Sequence, residues 1–118
     1  TDEAGRLRVT PALHAPDEPD VFAAGDCAVI DSAPRPPVGV FGVRAAPVLA
    51  ANLMARARGA ALRAYEPQRR WLSIMDLGDG TGLALRGELW WRGRAALWLK
   101  RRLDLGFVAA ARSLRPGA

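Results

Sequence analysis

Residues 20–28 read Asp-Val-Phe-Ala-Ala-Gly-Asp-Cys-Ala, and no other run constrains the fold as much. Small and β-branched residues with one Phe predict a strand buried on both faces, as a parallel strand inside a sheet is. Gly25 lets the backbone leave that strand in a conformation other residues avoid, and it lets a ligand come close. Asp26 is thereby expected at the carboxyl end of a buried strand, the edge where ligands of open α/β sheets bind. A carboxylate there only accepts hydrogen bonds, which suits the hydroxyls of a sugar or ribityl chain. The same Gly-Asp pair also fits an ordinary turn.

The residues around this run add a likeness. Gly-Arg-Leu-Arg-Val-Thr-Pro at 5–11, followed by Pro-Asp-Val-Phe-Ala-Ala-Gly-Asp-Cys-Ala at 19–28, resembles the second FAD-binding motif of the two-dinucleotide-domain flavoproteins. That superfamily includes the pyridine nucleotide-disulfide oxidoreductases and the type II NADH dehydrogenases. Further on, Arg-Pro-Pro-Val-Gly-Val-Phe-Gly-Val-Arg at 35–44, Leu-Ala-Ala-Asn-Leu at 49–53 and Tyr-Glu-Pro-Gln-Arg-Arg at 65–70 resemble one branch of it. This branch is the type II dehydrogenase-like flavoproteins often fused to selenide, water dikinase.

The resemblance implies an α/β fragment: the last part of an FAD-binding Rossmann-like domain over 1–62, then a small α+β domain over 63–118 with antiparallel strands and terminal helices. It implies that Asp26 hydrogen-bonds a ribityl hydroxyl of FAD, beside Gly25. It implies too that Gly39, Val40, Phe41, Gly42 and Val43 lie against the flavin ring at the start of a helix. The unpaired N–H groups and partial positive charge of a helix amino end would stabilise a reduced flavin there. Gly39 and Gly42 would permit close contact, or would merely ease packing of helix on sheet. The implied activity passes electrons from NAD(P)H through FAD to a second acceptor, with NAD(P)H held by residues outside this chain. No residue here is expected to be catalytic. The implied partners are the rest of the same polypeptide and a fused selenide, water dikinase domain.

The chain departs from the family pattern in places. Type II NADH dehydrogenases commonly carry glutamines near the quinone where Val40 and Val43 stand, which puts quinone as acceptor in doubt. The motif often has a Thr upstream of the aspartate where this chain has Pro16. The redox cysteine pair of the disulfide reductases is not in these residues. Cys27 is the single cysteine, which excludes an intrachain disulfide and a cysteine-rich metal site. It is expected to be a small buried hydrophobe. Arg44, in the first turns of the helix, would either favour anionic reduced flavin or pair with a surface acid.

At 118 residues, half of them hydrophobic, the chain can form a core. It is too short for an FAD site and a nicotinamide site together. No G-x-G-x-x-G follows a strand, and residue 1 is Thr. The chain is therefore expected to be the carboxyl-terminal part of a longer protein that is not active through this part alone. Net charge +5 and pI ≈ 10.9 would suit an anionic partner. All but one of the basic residues are Arg, scattered among Ala, with no aromatic-basic platform, so nucleic acid is not expected. A cytoplasmic location follows from the cysteine usage, with no apolar run near the roughly 20 residues of a membrane span.

Along the chain, 5–9 reads as a strand with Leu7 and Val9 on one face. Residues 12–19 read as a proline-rich link in which His14 is a loop residue rather than a ligand. A helix follows the loop at 31–37, with Val43, Ala46, Ala50, Leu53 or Met54 and Ala57 in its apolar stripe. Gly59 stops it, and Pro47 either precedes its regular part or kinks it. Residues 71–75, 83–86 and 88–91 read as three antiparallel strands joined at Gly-rich turns. Residues 93–112 read as a helix with Ala96, Leu99, Leu103 and Phe107 in one stripe. Trp90, Trp91 and Trp98 are expected to fill the small domain's core. The competing expectation sets them, with Lys100, Arg101 and Arg102, against anionic lipid as a peripheral contact on the inner membrane face. The alternative function is accordingly a non-catalytic basic α+β module docking on such a membrane or on a partner domain.

Overall fold

Leu7 and Val9 alternate with arginines and form β1 (Leu7–Val9), in which Val9 is buried. In the computed structural model, which describes residues 1–113, β1 pairs in parallel with β2 (Ala28–Ile30), Leu7 opposite Ala28 and Val9 opposite Ile30. Helix α1 (Gly39–Ala57) follows. The remaining elements are an antiparallel sheet of β3 (Leu72–Asp76), β4 (Gly82–Arg86) and β5 (Leu89–Gly93), and helix α2 (Arg94–Ser113). The described residues thus form a small α+β chain. It divides into two units, Thr1–Gln68 and Arg69–Ala118.

The strand expected at residues 21–24 is not there. Those backbone groups pair with the proline-rich link instead: Ala15 N donates to Val21 O at 2.8 Å and Ala23 N to Leu13 O at 3.0 Å. His14 and Phe22 form an isolated antiparallel bridge, their rings edge to face at 5.9 Å. Residues 21–24 thus form a short antiparallel link to residues 13–15 rather than a strand of the parallel pair. The parallel strand comes after Gly-Asp, not before it. Asp26 therefore stands in a 3-10 turn (Gly25–Cys27) at the amino end of β2. Cys27 in that turn is exposed, not buried as expected.

Val9, Leu13, Ile30 and Ala45 close the core of Thr1–Gln68. Leu13 reaches it from the left-handed region, φ 69, a conformation that costs a leucine about 1–2 kcal/mol and that burial of its side chain offsets. Helix α1 turns Phe41, Ala45 and Asn52 inward. The expected stripe is out of phase: Val43, Leu53 and Met54 are exposed. The helix is apolar nearly all round, so periodicity alone could not choose its inner face. Asn52 chooses it. Fully buried, it donates from Nδ2 to Ala12 O and Arg63 O and accepts from Arg63 N, each at 2.8 Å. Pro47 lies inside the helix on its exposed side.

The Asn52 bonds, with Tyr65 N to Pro11 O at 2.9 Å, fasten residues 63–68 to the first unit. The division after Gln68 consequently falls later than the expected one after residue 62.

In Arg69–Ala118 the antiparallel order and turns are as expected. Gly87 and Glu88 form a two-residue loop between Arg86 and Leu89, with Gly87 at φ 61, which a II′ hairpin requires at its first position. Cross-strand partners share a face, so Ile74, Ala84 and Trp91 lie on one side of the sheet and Ser73, Leu85 and Trp90 on the other. Ala84, Ala96 and Leu97 are buried. Trp90, Trp91 and Trp98 do not fill this core: they are 68 %, 41 % and 62 % exposed. Gly82 gives the reason. A Cβ there would stand 2.7 Å from Leu97 N, so helix and sheet meet almost backbone to backbone, with no room for an indole. Leu103 and Phe107 are exposed as well. A helix of 20 residues runs about 30 Å, while strands of five residues run about 17 Å, so α2 outreaches the sheet.

Candidate functional site

The turn carrying Asp26 and the helix that follows meet through two glycines. Gly25 has φ 81, and a Cβ on Gly42 would lie 3.3 Å from Gly25 Cα. A side chain on Gly42 would press on the turn, while at Gly25 it is the positive φ rather than the space that favours glycine. Of the two roles expected for Gly42, the packing role is visible here.

This contact holds Asp26 at the rim of an open groove of ≈ 610 Å³ walled by Asp26, Arg6, Arg35, Pro36 and Pro37. The Asp26 side chain is exposed and makes no hydrogen bond to any described residue. Both arginines are tied down. Arg6 donates from Nε to Asp2 Oδ2 and from Nη1 to Arg35 O, at 2.8 and 3.2 Å. Asp2 is in turn held below the ordinary carboxylate range, chiefly by the Arg6 backbone N–H. Arg35 donates to three carbonyls, Pro34 O at 2.8 Å, Gln68 O at 3.1 Å and Pro67 O at 3.2 Å. Its guanidinium has no carboxylate partner among the described residues. The groove thus offers one uncommitted acceptor, Asp26, and one uncompensated positive charge, Arg35.

Pro36 and Pro37 lead directly into α1, whose amino end has Val38 as its N-cap and no side-chain cap. Phe41 N donates to Val38 O at 3.0 Å, and the Gly39 and Val40 N–H groups ahead of it have no acceptor within the helix. Gly25, Asp26, Arg35, Pro36 and Pro37 also border, with Val9, Phe41 and Tyr65, a smaller concavity of ≈ 50 Å³. That is room for a few waters and far below the several hundred Å³ of a cofactor pocket.

Of the seven residues expected to bind cofactor, the fold brings together Gly25, Asp26 and Phe41 on one small concavity, with Gly42 against Gly25. Gly39 is exposed and Val40 half-buried in the first turn of α1. Phe41 is buried toward the core, and Val43, about 200° further round the helix, is 49 % exposed. These two cannot touch one ring from the same side. Arg44 is exposed, makes no ion pair with a described residue, and opposes the rise of the Tyr65 phenol pKa that burial causes. Sequence reasoning missed Arg35 and Tyr65 as parts of the site's frame. Their position within likeness-bearing segments was the one available signal.

Among the described residues no three His, Cys, Asp or Glu side chains cluster to hold a metal, and no helix is long and apolar enough to cross a membrane. No protein-family model matches the chain, and no curated protein matches it significantly.

Proposed function

We propose that Thr1–Gln68 is the closing part of a Rossmann-like FAD domain, one wall of a flavin site in an NAD(P)H oxidoreductase. The observation that carries this reading is Asp26: an exposed carboxylate without a hydrogen-bond partner, set on a glycine–glycine contact beside an uncapped helix amino end. The resemblance of residues 5–28 and 35–70 to the flavoprotein motif supports it. The residues fit the polyol part of the cofactor: Asp26 would accept from ribityl hydroxyls, Gly25 would allow close approach, and the Gly39 and Val40 N–H groups would face developing negative charge. When bound, FAD supplies hydride acceptance from NAD(P)H and onward transfer of electrons. Phe41, which borders the ≈ 50 Å³ concavity with Gly25 and Asp26, would back the site. NAD(P)H, the acceptor site and a fused selenide, water dikinase domain would belong to the rest of the polypeptide, in the cytoplasm.

Spectroscopy of the full-length polypeptide tests this. It should purify with flavin absorbance, and Asp26→Ala should weaken FAD binding about ten- to hundredfold, the loss of a charge-assisted hydrogen bond. A folded, colourless protein that takes up no added FAD would overturn the reading.

The exposed Trp90 and Trp98 favour a second reading for Arg69–Ala118, a basic module touching the inner face of an anionic membrane. Sedimentation with phosphatidylglycerol vesicles should then fall when both are replaced by Ser.

A further inference from the structure

Arg69–Ala118 carries a concavity that the flavin reading does not use. Between the β3–β4 turn and the first two turns of α2 lies an open groove of ≈ 720 Å³, walled by Asp79 and Thr81 from the turn and by Arg94, Leu97, Trp98 and Arg101 from the helix. Positions 94, 98 and 101 are one and two helical turns apart and so share one face of α2.

The charges in this groove do not cancel. Asp79 is already committed. Its Oδ1 accepts from Thr81 N at 2.9 Å and from the Thr81 hydroxyl, and its Oδ2 accepts from Arg92. Thr81 first, then Arg92, holds this carboxyl below the ordinary range, so it stays ionised and its charge is matched by Arg92. Arg94 and Arg101 have no carboxylate partner among the described residues, whereas the neighbouring Lys100 is paired with Asp104 at 2.6 Å. Two guanidiniums that never lose their charge therefore border the groove unpaired. Their planar forks match the oxygens of a phosphate.

Trp98 adds a flat surface between them. It is 62 % exposed, and Arg102 lies over its ring at 5.7 Å, a contact that leaves most of the indole surface open. An aromatic face bordered by unpaired guanidiniums matches a ligand with phosphate at one end and a planar base at the other. Concave sites of several hundred Å³ are of the size that small ligands use.

We propose that this groove binds a nucleoside diphosphate, its phosphates on Arg94 and Arg101 and its base stacked on Trp98. The site belongs wholly to Arg69–Ala118 and is independent of the flavin reading.

Calorimetric titration of the full-length polypeptide at low ionic strength in saturating FAD and NADP+, which fill any dinucleotide sites, with ADP and with inorganic pyrophosphate as probes, tests it. Both should bind. Changing Arg94 and Arg101 together to Ala should weaken both by at least about tenfold. Trp98→Leu should weaken ADP by about tenfold and leave pyrophosphate nearly unchanged. Asp26→Ala should change neither, which separates this groove from a flavin site. All four positions are exposed, and circular dichroism checks that the variants are folded. ADP binding that ignores the double substitution, or no binding of either probe, overturns the proposal. So does Arg94- and Arg101-dependent pelleting with phosphatidylglycerol vesicles in a protein that does not bind ADP, since the cations would then belong to lipid. A colourless polypeptide that still binds ADP through these arginines would sink the flavin reading and leave this one standing.

Discussion

Thr1–Gln68 closes its core with contacts between residues far apart in sequence, whereas Arg69–Ala118 closes by letting the backbones of neighbouring elements touch. In the first unit a parallel strand pair joins residues 7–9 to 28–30, and Asn52 ties residue 12 to residue 63. In the second, a meander of consecutive strands receives a helix on Gly82 and Ala84. The lesson concerns what each can spare. The first unit depends on particular polar groups and carries a rim that can be specialised around Asp26. The second needs only small residues at one contact, which leaves Trp90, Trp98, Arg94 and Arg101 at the surface.

The strongest way to break this contrast is Asn52→Leu. The substitution keeps bulk but leaves Ala12 O, Arg63 O and Arg63 N without their partner, and each stranded buried group costs about 1–3 kcal/mol. We expect a loss of about 3–5 kcal/mol in urea denaturation. Faster hydrogen exchange at Val9, Ile30 and Ala45 should accompany it, with amides of β4 unchanged. A loss under about 1 kcal/mol would mean that the first unit rests on its apolar core after all.

Gly82→Val probes the other side of the contrast. Its Cβ would fall 2.7 Å from Leu97 N and 3.0 Å from Leu97 Cα. Those are backbone atoms that cannot swing away, so α2 must lift from the sheet. Overpacking of this kind costs about 2–3 kcal/mol, and protection should fall in β4 and the first turns of α2. Exchange that rises equally in Thr1–Gln68 would show the two units unfolding as one.

These two positions also explain what could be read in advance. The antiparallel sheet was legible because its turns are local: Gly87-Glu88 and the Gly-rich run at 78–82 announce hairpins regardless of what surrounds them. The parallel pair was not, because nothing in residues 21–24 tells whether their hydrogen bonds go to a distant strand or to residues 13–15. Asn52 was invisible for a related reason. A polar residue in an apolar helix reads as solvent-facing until the carbonyl of residue 12 and the backbone of residue 63 are known to converge on it. The tryptophans misled because bulk usually means core, and only the glycine opposite Leu97 shows that this core has no room for bulk. Of the candidate site, Gly25 and Asp26 stood out at once, while the proline-walled groove depended on Arg35 reaching three carbonyls.

The smallest expected effect asks whether the late segment of the first unit is held by polar groups as Asn52 is. The Tyr65 hydroxyl donates to Phe41 O at 3.3 Å, tying residue 65 to the start of α1. Burial raises the phenol above its ordinary value of 10.0, and the nearby Arg44 and Arg35 act against that rise. Because the folded value lies above the unfolded one, the contribution of this group is complete below pH 10.0 and is lost as pH rises through the folded value. Tyr65→Phe should cost about 1 kcal/mol at neutral pH, the net worth of one hydrogen bond. It should also flatten the alkaline fall in the urea midpoint relative to the unmodified protein. An identical alkaline profile in the variant would place that fall on other groups and leave residues 63–68 fastened by Asn52, Arg35 and the Tyr65 backbone N–H, with no share for the phenol.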